Sequence, residues 1–157
     1  MYNFAYGSNM STEYLHHYCP SAQPVMTALL PNYEIQFRRY STDLQGGIST
    51  IMEAPGQRVE GVIYEIPQPE IDELDILEDI PLGLYRRDTF LVLGEDHQWH
   101  HADLYRVVEP AGPYLVSSRY LEYMIAGARE HVLSADYIEN LIALRPHTAA
   151  ETASNQL

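Results

Sequence analysis

The segment Phe4-Ala5-Tyr6-Gly7-Ser8-Asn9-Met10 constrains the fold more than any other stretch of this chain. Its aromatic residues predict a short strand, its Gly-Ser-Asn triplet predicts a turn, and Ser11 can cap a helix that follows. A strand that turns directly into a helix presents backbone N–H groups, which favour a carboxylate or another anion, and glycine lets a ligand approach closely. An ordinary turn without a ligand also explains so short a glycine motif.

Length and charge limit the kinds of protein that the chain can be. Its 157 residues fit a single domain, which we expect over residues 1–146, with a disordered tail over 147–157. The formal net charge of −13 argues against a nucleic-acid partner, because binding to a phosphate backbone needs clustered Lys and Arg.

Cysteine content and hydropathy bear on the cellular compartment. Cys19 is the one cysteine, so an internal disulfide cannot form, and we interpret it as a structural thiol. The sequence carries neither a recognisable signal segment nor an apolar stretch long enough to span a bilayer. We therefore expect a cytoplasmic protein that does not contact a membrane.

Turn signals divide the chain into predicted strands and helices. In the first half we expect two pairs of strands, 25–30 with 33–37 joined across Pro31-Asn32, and 48–52 with 59–66 joined by Ala54-Pro55-Gly56. A helix from Gln68 to Leu77 should follow, then a hairpin of strands 85–93 and 99–108, then helices that begin at Ser117 and Ser134. This pattern predicts an α+β fold with a curled or barrel-like sheet flanked by helices.

Glu78 falls on the apolar side of the helix that ends near Leu77. Steps of about 100° per residue place it between Ile71 and Leu74, on the arc that should face the core. Its acidic neighbours should point into solvent, namely Asp72, Glu73, Asp75 and Asp79. A desolvated carboxylate has a raised pKa and can accept a proton near neutral pH. A helix that frays before Pro81 would instead leave Glu78 in water, and both interpretations stay open on geometry alone.

Five segments, in order, resemble the γ-glutamylcyclotransferase family of the AIG2-like, or BtrG-like, superfamily. They are FAYGSNM, GGISTI, PGQRVEGVIYEI, LDILEDIPLGLY and YLEYMIAGAREHVLSADYIENL. The resemblance implies a small mixed β-barrel flanked by helices. It implies an enzyme that releases 5-oxoproline and a free amine from a small γ-glutamyl compound, without a metal or cofactor, and it suggests a homodimer.

Carried over residue by residue, the resemblance makes Glu78 the general acid and base. It assigns substrate binding to the turn and to three tyrosines, namely Phe4, Ala5, Tyr6, Gly7, Ser8, Asn9, Tyr85, Tyr105 and Tyr120. Without the resemblance, each tyrosine is best explained as a half-buried aromatic residue whose hydroxyl reaches water. The family often has glycine directly after the catalytic glutamate, and this chain has Asp79, which adds a second negative charge there.

Two alternatives to this function remain at the level of sequence. One keeps the chemistry and changes the leaving group from an amino acid or peptide to an amine, such as a γ-glutamyl conjugate of lysine. The other is a catalytically silent module that binds γ-glutamyl groups. A metal site at His97-Gln98-Trp99-His100-His101 is less favoured than an exposed hairpin edge, because no cysteine or third ligand is near in the sequence.

Overall fold

The computed structural model describes residues 1–146, so the expected tail over 147–157 lies outside the described residues. Over residues 1–146, five strands and four α-helices follow one another. They are β1 (Tyr2–Ala5), α1 (Thr12–His16), β2 (Gln23–Ser41), β3 (Gly46–Glu65), α2 (Gln68–Leu77), β4 (Tyr85–Gly94), β5 (Trp99–Val107), α3 (Ser118–Glu130) and α4 (Ala135–Ile142). A 3₁₀ turn, Ser8–Met10, connects β1 to α1. Within residues 1–146, no helix has both the length and the apolar character needed to cross a membrane.

The strands close into a barrel in the order β1-β3-β2-β4-β5. β1 lies antiparallel to β3, with Ala5 opposite Val62, and meets β5 in parallel at Asn3 and Asp103. The other neighbouring strands are antiparallel. The sheet is therefore mixed and the prediction of a small α+β barrel with flanking helices is confirmed.

The predicted breaks in the first half of the chain are wrong. Residues 25–30 and 33–37 belong to one strand, β2, and residues 48–52 and 59–65 belong to its antiparallel partner, β3. Asn32 and Gly56 adopt positive φ of 66° and 85°, and the Asn32 side chain accepts a hydrogen bond from the Gly56 N–H at 3.0 Å. The turn residues therefore form a local bulge within a long hairpin, because pairing on both sides of them continues.

Side chains from the barrel and the helices form two apolar clusters. One fills the barrel and includes Phe4, Val59 and Leu104. The other lies between the barrel and the helices and includes Tyr64 and Leu121. The second cluster fixes the helices against one end of the barrel, where the turn after β1 emerges.

Serine side chains cap three helices as the sequence predicts. The hydroxyls of Ser11, Ser117 and Ser134 accept hydrogen bonds from backbone N–H groups in the first turns of α1, α3 and α4, at 3.2 to 3.3 Å. α2 begins at Gln68 with Pro69 in its first turn and ends at Leu77, also as predicted.

α3 packs directly on the 3₁₀ turn. At Gly127 no side chain separates the backbone of the helix from the backbone of the turn. A Cβ atom at Gly127 would overlap the backbone of Met10 and lie 2.6 Å from the Ser11 nitrogen. From the other side, the Tyr64 hydroxyl donates to the Met10 carbonyl at 3.0 Å. The turn is therefore held between α3 and the barrel wall.

Gly127→Ala should destabilise the protein although alanine is the better helix former. The helix propensity gained is about 1 kcal/mol, and forcing a methyl group into a closely packed backbone contact costs about 1–3 kcal/mol. We expect a lower Tm in thermal unfolding. Ala126→Gly on the exposed side of α3 is the matched control and should cost about 1 kcal/mol through propensity alone. A rise in Tm for Gly127→Ala would contradict this account of the packing.

Candidate active site

A cavity of about 570 Å³ opens beside the 3₁₀ turn. Its walls come from the end of β1, the distal part of the β2–β3 hairpin, the end of α2, and the first turns of α1 and α3. All ten residues that the sequence singles out border it, namely Phe4, Ala5, Tyr6, Gly7, Ser8, Asn9, Glu78, Tyr85, Tyr105 and Tyr120. The fold thus brings together residues that lie up to 116 positions apart, from Phe4 to Tyr120.

Glu78 lies in the wall of this cavity, directly after the last residue of α2. Its side chain is half-buried, and the Asn9 amide donates a hydrogen bond to its Oε1 at 3.4 Å. Burial raises the pKa of Glu78 to about 7; Asp79 adds to the rise, and Asn9 and the Arg39 guanidinium oppose it. The carboxyl group can therefore exchange a proton at neutral pH.

The reason for the burial of Glu78 differs from the sequence-based expectation. Ile71 and Leu74 are fully buried in the core, but Leu77 is 42% exposed, so the apolar arc does not continue to the end of the helix. The last turn of α2 extends past the core, and there both Leu77 and Glu78 border the cavity. Glu78 therefore does not lie on a core-facing side of the helix. It is the cavity wall that shields its carboxyl group from water.

Asp75 was expected to be solvated, and this expectation is wrong. Its carboxylate accepts two hydrogen bonds from Arg87, at 2.9 and 3.1 Å, and a third from the Tyr105 hydroxyl at 2.6 Å. Arg87 also donates to Asp103 at 2.6 Å. The tertiary fold supplies these partners from β4 and β5, and the network fixes the Tyr105 ring at the cavity.

The turn at Gly7 needs glycine for space. Gly7 has φ of −103°, which is outside the left-handed region. A Cβ atom on Gly7 would overlap the Tyr120 hydroxyl and lie 2.8 Å from the Ser49 Oγ. The turn itself is closed by hydrogen bonds from Met10 N–H and Ser11 N–H to the carbonyls of Gly7 and Ser8, each at 3.1 Å.

Tyrosine hydroxyls meet around Ser49 on one side of the cavity. The Tyr120 hydroxyl and the Ser49 Oγ lie 2.7 Å apart, and the Tyr85 hydroxyl donates to the Ser49 carbonyl at 3.4 Å. The Tyr6 hydroxyl donates to the Tyr105 carbonyl. Burial raises the pKa of all four tyrosines, so they remain neutral hydrogen-bonding groups at physiological pH.

Phe4 and Ala5 differ from the other predicted residues in how they border the cavity. The side chains of both are buried, and the Phe4 ring packs in the barrel cluster. The structure thus places both side chains in the core beneath the turn.

Several residues that border the cavity are not predicted from the sequence, and Ser49 and Arg39 are two that contact the predicted ones. Ser49 lies in the GGISTI segment, which carries part of the family resemblance but assigns no role to Ser49, and no motif in the sequence singles out Arg39. Both lie on the long hairpin, whose continuous pairing the sequence did not reveal. A correct pairing of β2 with β3 was the signal needed to find them.

The mouth of the cavity is aromatic. The Tyr14 and Tyr123 rings lie 4.5 Å apart, and Tyr18 packs edge-on against Tyr14 at 5.5 Å. Arg119 and Tyr40 also border the opening. A ligand that extends out of the cavity would meet these side chains.

The histidine cluster and Cys19 lie elsewhere. His100 bonds to Asp96 at 2.8 Å on the β4–β5 hairpin, which agrees with the interpretation as a hairpin edge. Among residues 1–146, no three His, Cys, Asp or Glu side chains come together in a way that could hold a metal ion. Cys19 is buried, and burial raises its pKa to about 11, as expected for a structural thiol.

Comparisons with known proteins agree with this fold. A model of the AIG2-like family matches residues 58–141. Gamma-glutamylcyclotransferases from Homo sapiens and Mus musculus are each 30% identical over 160 residues, covering 98% of this chain and 84% of theirs. A solved structure called gamma-glutamyl cyclotransferase superposes with a TM-score of 0.89 at 28% identity, covering 94% of this chain and 89% of its own. The chain therefore belongs to the AIG2-like family that includes these γ-glutamylcyclotransferases.

Proposed function

We propose that this protein is a γ-glutamyl cyclotransferase, which cuts a γ-glutamyl compound into 5-oxoproline and a free amine. The half-buried Glu78, bonded to Asn9 at the wall of the cavity, is the observation that carries the proposal. Its pKa of about 7, raised by burial, suits a group that must both accept and return a proton. Its relatives carry the same activity in their names.

The reaction is a ring closure within the substrate. The α-amino nitrogen attacks the γ-carbonyl carbon, a five-membered lactam forms, and the bond from that carbon to the leaving nitrogen breaks. The α-ammonium group cannot attack until it loses a proton, and the Glu78 carboxylate is placed to accept it. Two ammonium protons are transferred in all, and both end on the leaving amine, so Glu78 accepts and then returns protons without net change.

Binding must also fold the extended substrate so that its two reacting atoms meet. We assign this task to the predicted substrate-binding residues. The turn from Tyr6 to Asn9 offers backbone N–H groups for the α-carboxylate or for the oxygen that becomes negative as the ring closes. Tyr85, Tyr105 and Tyr120 offer neutral hydroxyl groups around the γ-glutamyl chain.

The setting of the reaction is part of the same proposal. The cavity needs no metal or cofactor for this chemistry, because the nucleophile belongs to the substrate. The single cysteine supports a cytoplasmic location. The family resemblance supports a homodimer and a place in the metabolism of glutathione-type compounds.

The direct test is formation of 5-oxoproline from γ-glutamyl-alanine and, separately, from γ-glutamyl-ε-lysine. Turnover of the first with little of the second supports an amino-acid leaving group. The reverse result supports the amine alternative. If neither yields 5-oxoproline while both bind in calorimetry, the protein is a binding module and the proposal fails.

Glu78→Gln should abolish nearly all turnover. Acid-base catalysis contributes about a hundred- to ten-thousandfold, and here deprotonation also creates the nucleophile, so the loss should reach the upper end. Glu73→Gln, on the exposed side of the same helix, is the matched control and should retain full activity.

Glu78→Gln should fold at least as well as the wild-type protein. Because the pKa of Glu78 is about 7 in the folded protein and about 4.5 ordinarily, the folded state binds more protons between these values, and wild-type stability falls as pH rises through that window. Glutamine carries no such penalty. The Tm of Glu78→Gln at pH 8 should equal or exceed that of wild type, and a large decrease would assign Glu78 a structural role.

The acid limb of the kcat/KM profile should reflect Glu78. With a pKa of about 7, the carboxylate fraction falls about fiftyfold between pH 7 and pH 5, and kcat/KM should fall with it. Initial rates with γ-glutamyl-alanine between pH 5 and 8 provide the measurement. A flat profile over this range would exclude Glu78 as the proton acceptor.

The loss of kcat/KM caused by substitutions in the turn should depend on how much space each new side chain needs. Gly7→Ala displaces the hydroxyls of Tyr120 and Ser49 and should lower kcat/KM by well over tenfold. Ser8→Ala removes at most a hydrogen bond of about 0.5–1.5 kcal/mol, a factor of about 2 to 12. Tyr120→Phe should cost a similar factor and, by removing the oxygen that alanine meets, should restore part of the Tm lost in Gly7→Ala. A Ser8→Ala variant more impaired than Gly7→Ala would contradict this ranking.

A further inference from the structure

The residue after Glu78 has a backbone conformation that L-amino acids rarely adopt. Asp79 has φ of 53°, in the left-handed region that favours glycine and that aspartate tolerates better than most residues. Its carbonyl accepts hydrogen bonds from the N–H groups of Leu82 and Leu84, both at 3.2 Å, which close the loop after α2. An aspartate at such a position points to a role for its side chain.

That side chain is bonded across the cavity wall to the long hairpin. The Asp79 Oδ2 accepts a hydrogen bond from the Arg39 Nη2 at 3.2 Å. The Arg39 guanidinium also lies over the Tyr85 ring, 5.4 Å from its centre. The Arg39 side chain is 24% exposed and that of Asp79 39%, so the pair is partly shielded from water. Both residues border the cavity beside Glu78.

Glu78 itself has weak direct support. The contact that the structure records for its carboxylate within residues 1–146 is the long hydrogen bond from Asn9 at 3.4 Å. Its backbone is bonded at N–H to the Leu74 carbonyl at 2.9 Å, and Asp79 N–H is bonded to the Ile76 carbonyl at 3.1 Å. α2 thus holds the Glu78 backbone on one side, and the loop that begins at Asp79 adjoins it on the other.

The charged groups around Glu78 come from several elements. Arg39 belongs to β2, Asp75 to α2 and Asp79 to the loop after it. Four tyrosines also face it, namely Tyr6 from the turn after β1, Tyr85 from β4, Tyr105 from β5 and Tyr120 from α3. Asp75 also raises the pKa of Glu78, and its carboxylate is paired with Arg87, which Asp103 shares. Asp79 raises the pKa of Glu78 and Arg39 lowers it, so these two act on the same carboxyl group in opposite directions.

We propose that Arg39 and Asp79 form a positioning pair, which holds the loop that carries Glu78 and balances the charge beside its carboxylate. The proposal rests on the proposed function, in which Glu78 transfers protons. Neither residue contacts the reacting atoms in this account, since both act through Glu78. The pair ties the hairpin wall of the cavity to the helix wall, so one contact serves both the shape and the protonation of the site.

The test compares kcat/KM profiles for γ-glutamyl-alanine between pH 5 and 8. Asp79→Asn keeps the shape of the side chain and leaves the Arg39 charge unopposed, so the midpoint of the acid limb should fall by about half to one pH unit. Arg39→Met leaves Asp79 unopposed, and the midpoint should rise by a similar amount. The double variant should return to within about 0.3 units of wild type.

Three further variants control for folding and for charge in general. Asp79→Gly suits the left-handed backbone, so it should be at least as stable as wild type and should shift the limb as Asp79→Asn does. Arg39→Lys keeps the charge and should keep the wild-type midpoint. Arg38→Met alters the neighbouring arginine, which bonds to Gln36 and does not border the cavity. This variant should leave the midpoint of the acid limb unchanged.

The outcomes separate this proposal from the function on which it rests. Opposite shifts for Asp79→Asn and Arg39→Met, cancelled in the double variant, would establish the pair. If the midpoint of the acid limb is unchanged in both variants and only Tm or kcat is lowered, the positioning pair is overturned and the role of Glu78 is left intact. Full turnover by Glu78→Gln would instead overturn the proton-transfer role of Glu78, and absence of 5-oxoproline with the wild-type protein would overturn the proposed function itself.

Discussion

The close contact of the turn after β1 with α3 determines the rest of the site. Two glycines make it possible, since Gly127 lets α3 reach the backbone of Met10, and Gly7 makes room for the Tyr120 hydroxyl on the same helix. Overpacking at either position would separate two cavity walls at once. The site is therefore built into the packing between helix and barrel, and its geometry is as rigid as that packing.

Repulsion between carboxylates at the site is a second constraint, because the chain is strongly acidic. Three carboxylates lie within one turn at the end of α2, and left alone they would repel one another. Arg87 pairs with Asp75 and Arg39 pairs with Asp79. Burial raises the pKa of Glu78 to about 7, and no arginine forms an ion pair with it among the described residues.

Local patterns were sufficient for much of the fold. The caps at Ser11, Ser117 and Ser134 and the start of α2 were predicted because each depends on residues within one helical turn. The two long strands were not, because Asn32 and Gly56 look like the ends of strands until their partner across the hairpin is known. Leu77 and Asp75 were misplaced for a similar reason. Helical periodicity gives a direction for each side chain, but only the barrel determines where the core ends and which residue lies opposite.

What the sequence determined by itself was the chemistry available to this protein, namely a glycine turn after a strand, one carboxylate apart from its neighbours, and a set of tyrosines. Their order along the chain was enough to connect them with a family. The tertiary structure decided what those groups contact. It placed Ser49 and Arg39 beside them and gave Asp75 a partner on β4. The reason is physical, since burial and charge pairing arise between segments distant in sequence, and no local pattern encodes them.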